Sequence, residues 1–244
     1  MKLITIWLIN KCNYDCTYCV AKPGLEPMEF NYPNENVVSR NSNALLLPWL
    51  DKWLDPDEWL IELTGGEPGL YPEIDTLIPA LTQRGYRGVI QTNGSLPIPE
   101  SPNFVRTAAW HGDKRPKYYD SMIIIKAPDS GFEEKAEWCK ANQVPYRLTE
   151  LNGSYKGEHS SETDPNPCVI THYAFMNAYG QLTHCHRGAF REDNCIREMS
   201  PPPYFELSGT CPSCGNTKAV EYALETSLFP PPGGNTCFTR FDKA

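Results

Sequence analysis

Through roughly the first 150 residues the apolar positions recur as short runs that alternate with stretches of helical period. Leu3 to Ile9 is apolar and partly β-branched, the pattern of a buried strand. Leu45 to Leu54 is helical in character, with Pro48 expected to start or kink it. Trp59 to Thr64 reads as a second strand, stopped by Gly65-Gly66. Glu73 to Arg84 is the strongest helix pattern: Ile74, Leu77, Ile78 and Leu81 share one face and Gly85 closes it, with a kink expected at Pro79. Gly88 to Thr92 is a third strand ending in Asn93-Gly94, and Ser121 to Lys126 a fourth. Phe132 to Asn142 is a helix of mixed charge, and Pro145 to Leu151 a fifth strand. Strands alternating with helices in this way build a parallel sheet with helical crossovers.

Beyond about residue 152 the pattern changes. Gly, Ser, Glu and Pro are frequent from 152 to 167, which reads as a loop or linker. Thr171 to Met176 and Gln181 to Cys185 flank Asn177-Ala178-Tyr179-Gly180, the signature of a hairpin. After Cys185 the chain is irregular and proline-rich, with Pro201-Pro202-Pro203 and Pro230-Pro231-Pro232. A segment with so few periodic apolar residues needs an inorganic staple to hold it. The division expected is 1–152 for an α/β domain and 153–244 for a small Cys-rich one.

Composition narrows the class. The chain has 244 residues, one to two domains' worth, and enough to bury a core without disulfides. Acidic residues outnumber basic ones 30 to 22, a formal charge of −8, which argues against a nucleic-acid partner. No apolar run approaches the ~18 residues of a membrane span, and the stretch MKLITIWLINKC reads as a first strand rather than a signal peptide. Ten cysteines remain to be explained. Their tight spacings, without a secretion signal, favour metal ligation over a disulfide scaffold.

Cys12, Cys16 and Cys19 form CxxxCxxC immediately after the first strand. Three thiolates in one short loop hold three irons of a cubane cluster and leave the fourth iron open for chemistry, since iron–sulfur clusters normally take four Cys. A zinc site is the alternative and needs a fourth ligand from elsewhere. This loop, with Tyr18 before its last Cys, resembles the signature of the radical S-adenosylmethionine (SAM) superfamily. Thr64-Gly65-Gly66-Glu67-Pro68 looks like the family's GGEP motif, and Gln91-Thr92-Asn93-Gly94 like its TNG. Each follows a predicted strand, the edge where open parallel sheets bind ligands.

The resemblance covers residues 1 to about 150 and implies a partial barrel of about six strands. It also implies that Gly65, Gly66, Glu67 and Pro68 contact the methionyl amino group of SAM, with Tyr18, Thr92 and Asn93 nearby. Lys126, ending the predicted fourth strand, would take the position of a SAM-contacting polar residue, where the family's usual Ser or Thr is absent. A 4Fe-4S cluster on Cys12, Cys16 and Cys19 would cleave SAM to methionine and a 5′-deoxyadenosyl radical, which takes hydrogen from a substrate. An electron donor such as a flavodoxin or ferredoxin would reduce the cluster.

Cys168, Gly180 and Cys185 have the spacing CX11GX4C, and Cys211 and Cys214 form a CxxC. This order resembles the short, twitch form of the SPASM auxiliary modules, which implies a second 4Fe-4S cluster on those four Cys. Zinc is the rival occupant, with His184 and His186 as further ligands. Cys195 and Cys237 are left over, and Cys139 reads as a buried free thiol. Substrate contacts are expected from Glu62, Lys126, Arg147 and Glu150 on the concave side of the sheet. The function expected is dehydrogenation of a polar small molecule; modification of a ribosomally made peptide is the second reading, and a non-catalytic zinc-stapled module the third. Labile clusters and free thiols suit a reducing cytosol, so a cytoplasmic location without membrane attachment is expected.

Overall fold

In the computed structural model, residues 2–16, 42–126, 130–150, 173–176 and 182–183 are described. The strands among them are β1 (Lys2–Trp7), β2 (Trp59–Thr64), β3 (Arg87–Thr92), β4 (Phe104–Trp110), β5 (Ser121–Lys126), β6 (Tyr146–Glu150), β7 (Tyr173–Met176) and β8 (Leu182–Thr183). They form one sheet in the order β6-β5-β4-β3-β2-β1-β7-β8. Every neighbouring pair from β6 to β7 is parallel, and β7 with β8 is antiparallel. The sheet is open, with β6 and β8 at its edges.

Helices α1 (Asn43–Trp53) and α2 (Ile74–Gln83) connect β1 to β2 and β2 to β3, and α3 (Phe132–Ala141) connects β5 to β6. Pro48 and Pro79 lie inside α1 and α2, and both helices continue through them. Each proline removes one amide from the helical ladder. What holds the helices is their buried face: Leu46, Trp49 and Leu50 from α1, and Ile74, Leu77, Ile78 and Leu81 from α2. These pack with Ile4, Ile6, Ile61, Leu63 and Ile90 of the sheet in one core. Full burial of each such side chain is worth roughly 1.5–3 kcal/mol. A second cluster joins Met122 and Ile124 of β5 to Ala136 and Cys139 of α3. No helix among the described residues is long and apolar enough to cross a membrane.

Three features depart from the sequence pattern. Phe104–Trp110 is a strand that the pattern did not mark, so Ser121–Lys126 is the fifth strand and not the fourth. No helix lies between β3 and β4 or between β4 and β5. The hairpin of β7 and β8 lies beyond residue 152, yet β7 pairs with β1 and extends the same sheet.

Strand alternation sorts the side chains. Ile4, Ile6, Ile61, Leu63, Ile90, Met122 and Ile124 face the helices. The opposite face carries Thr5, Glu62, Gln91, Thr107, Ser121, Arg147 and Thr149. Thr5 and Glu62 are fully buried there. Thr5 Oγ1 and Gln91 Nε2 donate short hydrogen bonds to the two Glu62 carboxylate oxygens. Thr107 and Ser121 hydroxyls lie 2.9 Å apart. The Glu62 carboxylate also acts on the Arg147 guanidinium: enclosure lowers that group to about 10, and Glu62 opposes the shift. Four inter-strand spacings separate β2 from β6, ~19 Å along a flat sheet. An interaction between Glu62 and Arg147 across that interval fits a polar face that curves inward.

Candidate functional site

The backbone beyond β1 continues alongside the turn after β2. Leu8 N donates to Thr64 O at 2.9 Å, Gly66 N to Ile9 O at 2.6 Å and Glu67 N to Lys11 O at 2.9 Å. This ladder delivers Cys12 to the C-terminal edge of the sheet. It also explains the two glycines. Gly65 has φ +142°, and a Cβ there would lie 2.5 Å from Ile9 O; at Gly66 a Cβ would lie 2.2 Å from Lys11 O. Both glycines thus make room for the protein's own Cys-bearing loop.

Glu67 is fully buried. Its Oε1 accepts from Thr92 Oγ1 at 2.5 Å and Gly69 N at 3.1 Å, and its Oε2 from Asn93 N at 2.7 Å. Burial pushes its carboxyl above the ordinary range, against the pull of these three donors. The side chain therefore clamps the Gly-Gly-Glu turn to the end of β3. Pro68 opens a 3-10 turn over Pro68–Leu70 and is buried, a structural place for a ring with fixed φ.

Thr92 and Asn93 are both buried at the end of β3. Asn93 Nδ2 donates to Asn13 Oδ1 at 2.8 Å and approaches Cys12 Sγ at 3.8 Å. Tyr14 N donates to the same sulfur at 3.4 Å. The Tyr14 ring meets His111 edge-on, with centroids 6.1 Å apart, and Lys114 Nζ stands 4.7 Å from the ring centroid. His111 ends the β4 strand region, and burial together with Lys135 lowers it to about 4. Asn13, Tyr14, Ser95 and His111 were not singled out from the sequence; no spacing rule marks a loop residue whose partners come from other strands.

Cys12 and Cys16 are half-buried and form no disulfide among the described residues. Tyr18 and Cys19 lie outside the described residues, as do Cys168, Cys185, Cys195, Cys211, Cys214 and Cys237, and His184 and His186. Among the described residues no three His, Cys, Asp or Glu side chains converge as a metal site. The residues present fit a sulfur-held cluster: Cys12 Sγ receives N–H donors from Tyr14 and Asn93 beside the sheet edge, as a ligating sulfur does. Lys126 ends the fifth strand, and its alternation with Met122 and Ile124 puts it on the side packed by α3. Glu62 and Arg147 do lie on the curved polar face. Glu150 is the last residue of β6, paired in register with Lys126.

No family model matches the chain. It is 33% identical over 99 residues to the AdoMet-dependent heme synthase of Nitratidesulfovibrio vulgaris, covering 41% of this chain and 24% of that protein. It is 33% identical over 89 residues to the 7-carboxy-7-deazaguanine synthase of Methanothermobacter thermautotrophicus, covering 35% and 31%. The Fe-coproporphyrin III synthase of Methanosarcina barkeri is 30% identical over 96 residues, covering 39% and 22%. The chain thus spans less than a third of the length of these curated relatives. In fold it is similar to Streptococcus suis SuiB bound to S-adenosylmethionine, with TM-score 0.51 and 13% identity over 93% of this chain and 75% of that one.

Sheet and site together define a parallel α/β protein with its Cys-bearing loop at the carboxyl ends of the strands. With its three motifs in order, the chain resembles radical SAM enzymes over the part it shares with these relatives.

Proposed function

We propose that the chain is a radical SAM oxidoreductase acting on a polar small molecule. The observation that carries the reading is the lodging of the Cys12 loop against both the Gly65-Gly66-Glu67 turn and the Thr92-Asn93-Gly94 turn. Cys12, Cys16 and Cys19 would hold a 4Fe-4S cluster. When bound, such a cluster and SAM supply one electron to a carbon–sulfur bond and so a deoxyadenosyl radical that takes hydrogen from the substrate. The chain's own part is to place these groups. Gly65 and Gly66 let the Cys loop approach, and Glu67 locks the turn to β3.

The substrate would lie against the curved polar face. Glu62 and Arg147 offer opposite charges there, and Thr149 Oγ1 is buried without a hydrogen-bond partner among the described residues. Parallel sheets normally bury apolar side chains on both faces, so a polar face of this kind favours a hydrogen-bonding ligand. Cys168, Cys185, Cys211 and Cys214 would hold an auxiliary 4Fe-4S cluster that accepts the second electron. A small acceptor-donor protein such as a flavodoxin or ferredoxin would supply the first, in the cytoplasm. The two domains would divide near residue 152, with β7 and β8 returning to the sheet.

A second reading is peptide modification. SuiB, whose fold resembles this one at TM-score 0.51 and 12% identity, has been seen bound to precursor peptide SuiA. The test is anaerobic reconstitution with iron and sulfide, then reduction in the presence of SAM. Methionine and 5′-deoxyadenosine are expected, and Cys12→Ala/Cys16→Ala/Cys19→Ala should abolish both. Product formation undiminished in that variant would refute the reading. A panel of polar metabolites and peptides, scored by substrate-dependent deoxyadenosine, separates the two substrate classes.

A further inference from the structure

We propose that Asn93 is a positioning residue that sets the reduction potential of the cluster held by Cys12, through an N–H···S hydrogen bond to that sulfur. The inference rests on the reading of Cys12 as a cluster ligand.

The orientation of the Asn93 amide follows from its partners. Ser95 N donates to one end of the amide at 2.9 Å. A backbone N–H only donates, so that end must be the oxygen, Oδ1. The Ser95 hydroxyl donates to the same oxygen at 2.5 Å. The other end is therefore the NH2, and it is the end that faces the Cys loop. One of its hydrogens meets Asn13 Oδ1 at 2.8 Å, and the group lies 3.8 Å from Cys12 Sγ. Asn13 is oriented in turn, since its own Nδ2 donates to Ser95 Oγ at 2.9 Å. Asn93, Asn13 and Ser95 thus close a ring that aims the Asn93 NH2 at Asn13 and the Cys12 sulfur. Asn93 is 5% exposed and its backbone N is held by Glu67, so the aim is fixed.

The second donor to Cys12 Sγ is the backbone N–H of Tyr14, which a side-chain substitution leaves in place. Asn93 is the donor that mutation can remove. A donor hydrogen at a ligating sulfur draws off negative charge. Reduction adds negative charge to the cluster, so the donor favours the reduced form and raises the potential. The motif resemblance placed Asn93 against SAM; the geometry turns its NH2 toward the sulfur and Asn13.

The test is redox potentiometry on the full chain reconstituted with iron and sulfide and without SAM, followed by the electron paramagnetic resonance of the reduced cluster. The signal that disappears in Cys12→Ala identifies the cluster in question. Asn93→Asp keeps an oxygen for Ser95 and replaces the donor with an acceptor. It should lower the midpoint potential with the iron count unchanged. Asn13→Ala removes the competing acceptor, leaves the Asn93 NH2 facing the sulfur, and should move the potential upward. A role confined to holding the loop predicts no such opposition of sign. Unchanged potentials in both variants at full iron content would overturn the proposal. If Asn93→Asp fails to hold iron, Asn13→Ala decides by itself: a rise supports the proposal, and an unchanged or lower potential overturns it. Survival of every cluster signal in Cys12→Ala would instead overturn the ligand assignment.

Discussion

Alanine at Gly66 places a Cβ 2.2 Å from Lys11 O, a backbone atom that cannot swing aside as a side chain would. The Cys12 loop has to move, at ~1–3 kcal/mol for overpacking of this kind. Gly66→Ala is expected to lose iron from the Cys12 site while the sheet still unfolds cooperatively, as checked by iron analysis and a urea titration. Glu67→Gln tests the neighbouring clamp. The amide presents only one oxygen to three donors and turns its NH2 toward another N–H, so one buried donor goes unmet. The expected loss is ~1–3 kcal/mol in the same urea titration. Both residues were legible as a motif, because a double glycine and a glutamate after a strand are visible in the sequence. Their tasks were not. A missing Cβ reads the same whether ligand or backbone fills the space, and a carboxylate's partners are set by tertiary contacts.

Elements were legible where period and punctuation coincide. Trp59 to Thr64 is mostly apolar and stopped by two glycines, and its strand has those same ends. β4 was missed because both of its connections lack helices and because Arg106 interrupts its apolar run. That arginine is 8% exposed and faces Asp120 at 2.7 Å and Glu100 at 3.2 Å. A buried guanidinium paired with carboxylates at the surface, invisible to periodicity, does there what an apolar residue does elsewhere. The omission changed only the count: Ser121–Lys126 is bounded as expected but is the fifth strand. The end of β4 gives a pH prediction. His111 is lowered from 6.5 to about 4 by burial and Lys135, so the folded state disfavours its proton. The unfolded chain takes up that proton as pH falls from 6.5 to about 4, and stability is lost over that window. Above pH 6.5 neither state is protonated there and the loss vanishes. His111→Asn should flatten this part of the profile, measured as the difference in unfolding free energy between pH 7.5 and pH 5; an equal drop in both proteins would refute it.

At the scale of the whole molecule, the curved sheet was legible as a parallel α/β layout, but its polar inner face needed the fold. Thr5, Glu62, Gln91 and Arg147 come from four strands, and only register and curvature bring their charges and hydroxyls into one row. The return of β7 to β1 was likewise hidden, since parallel pairing across more than 160 residues leaves no local trace. It means that the hairpin of β7 and β8 is anchored to the strand that leads to Cys12. Iron should therefore report on two separable sites. With the proposed ligand sets the reconstituted chain is expected to hold about eight irons, from two four-iron clusters. Cys12→Ala/Cys16→Ala/Cys19→Ala should reduce the count to about four and leave the auxiliary signal. Cys211→Ala should also lower it, while Cys195→Ala and Cys237→Ala leave it intact. These counts, taken with zinc analysis on the same samples, discriminate between occupants. About four irons plus one tightly held zinc would identify the second site as a structural zinc. It would also remove the chain's second electron acceptor, and with it the case for oxidation over a redox-neutral rearrangement.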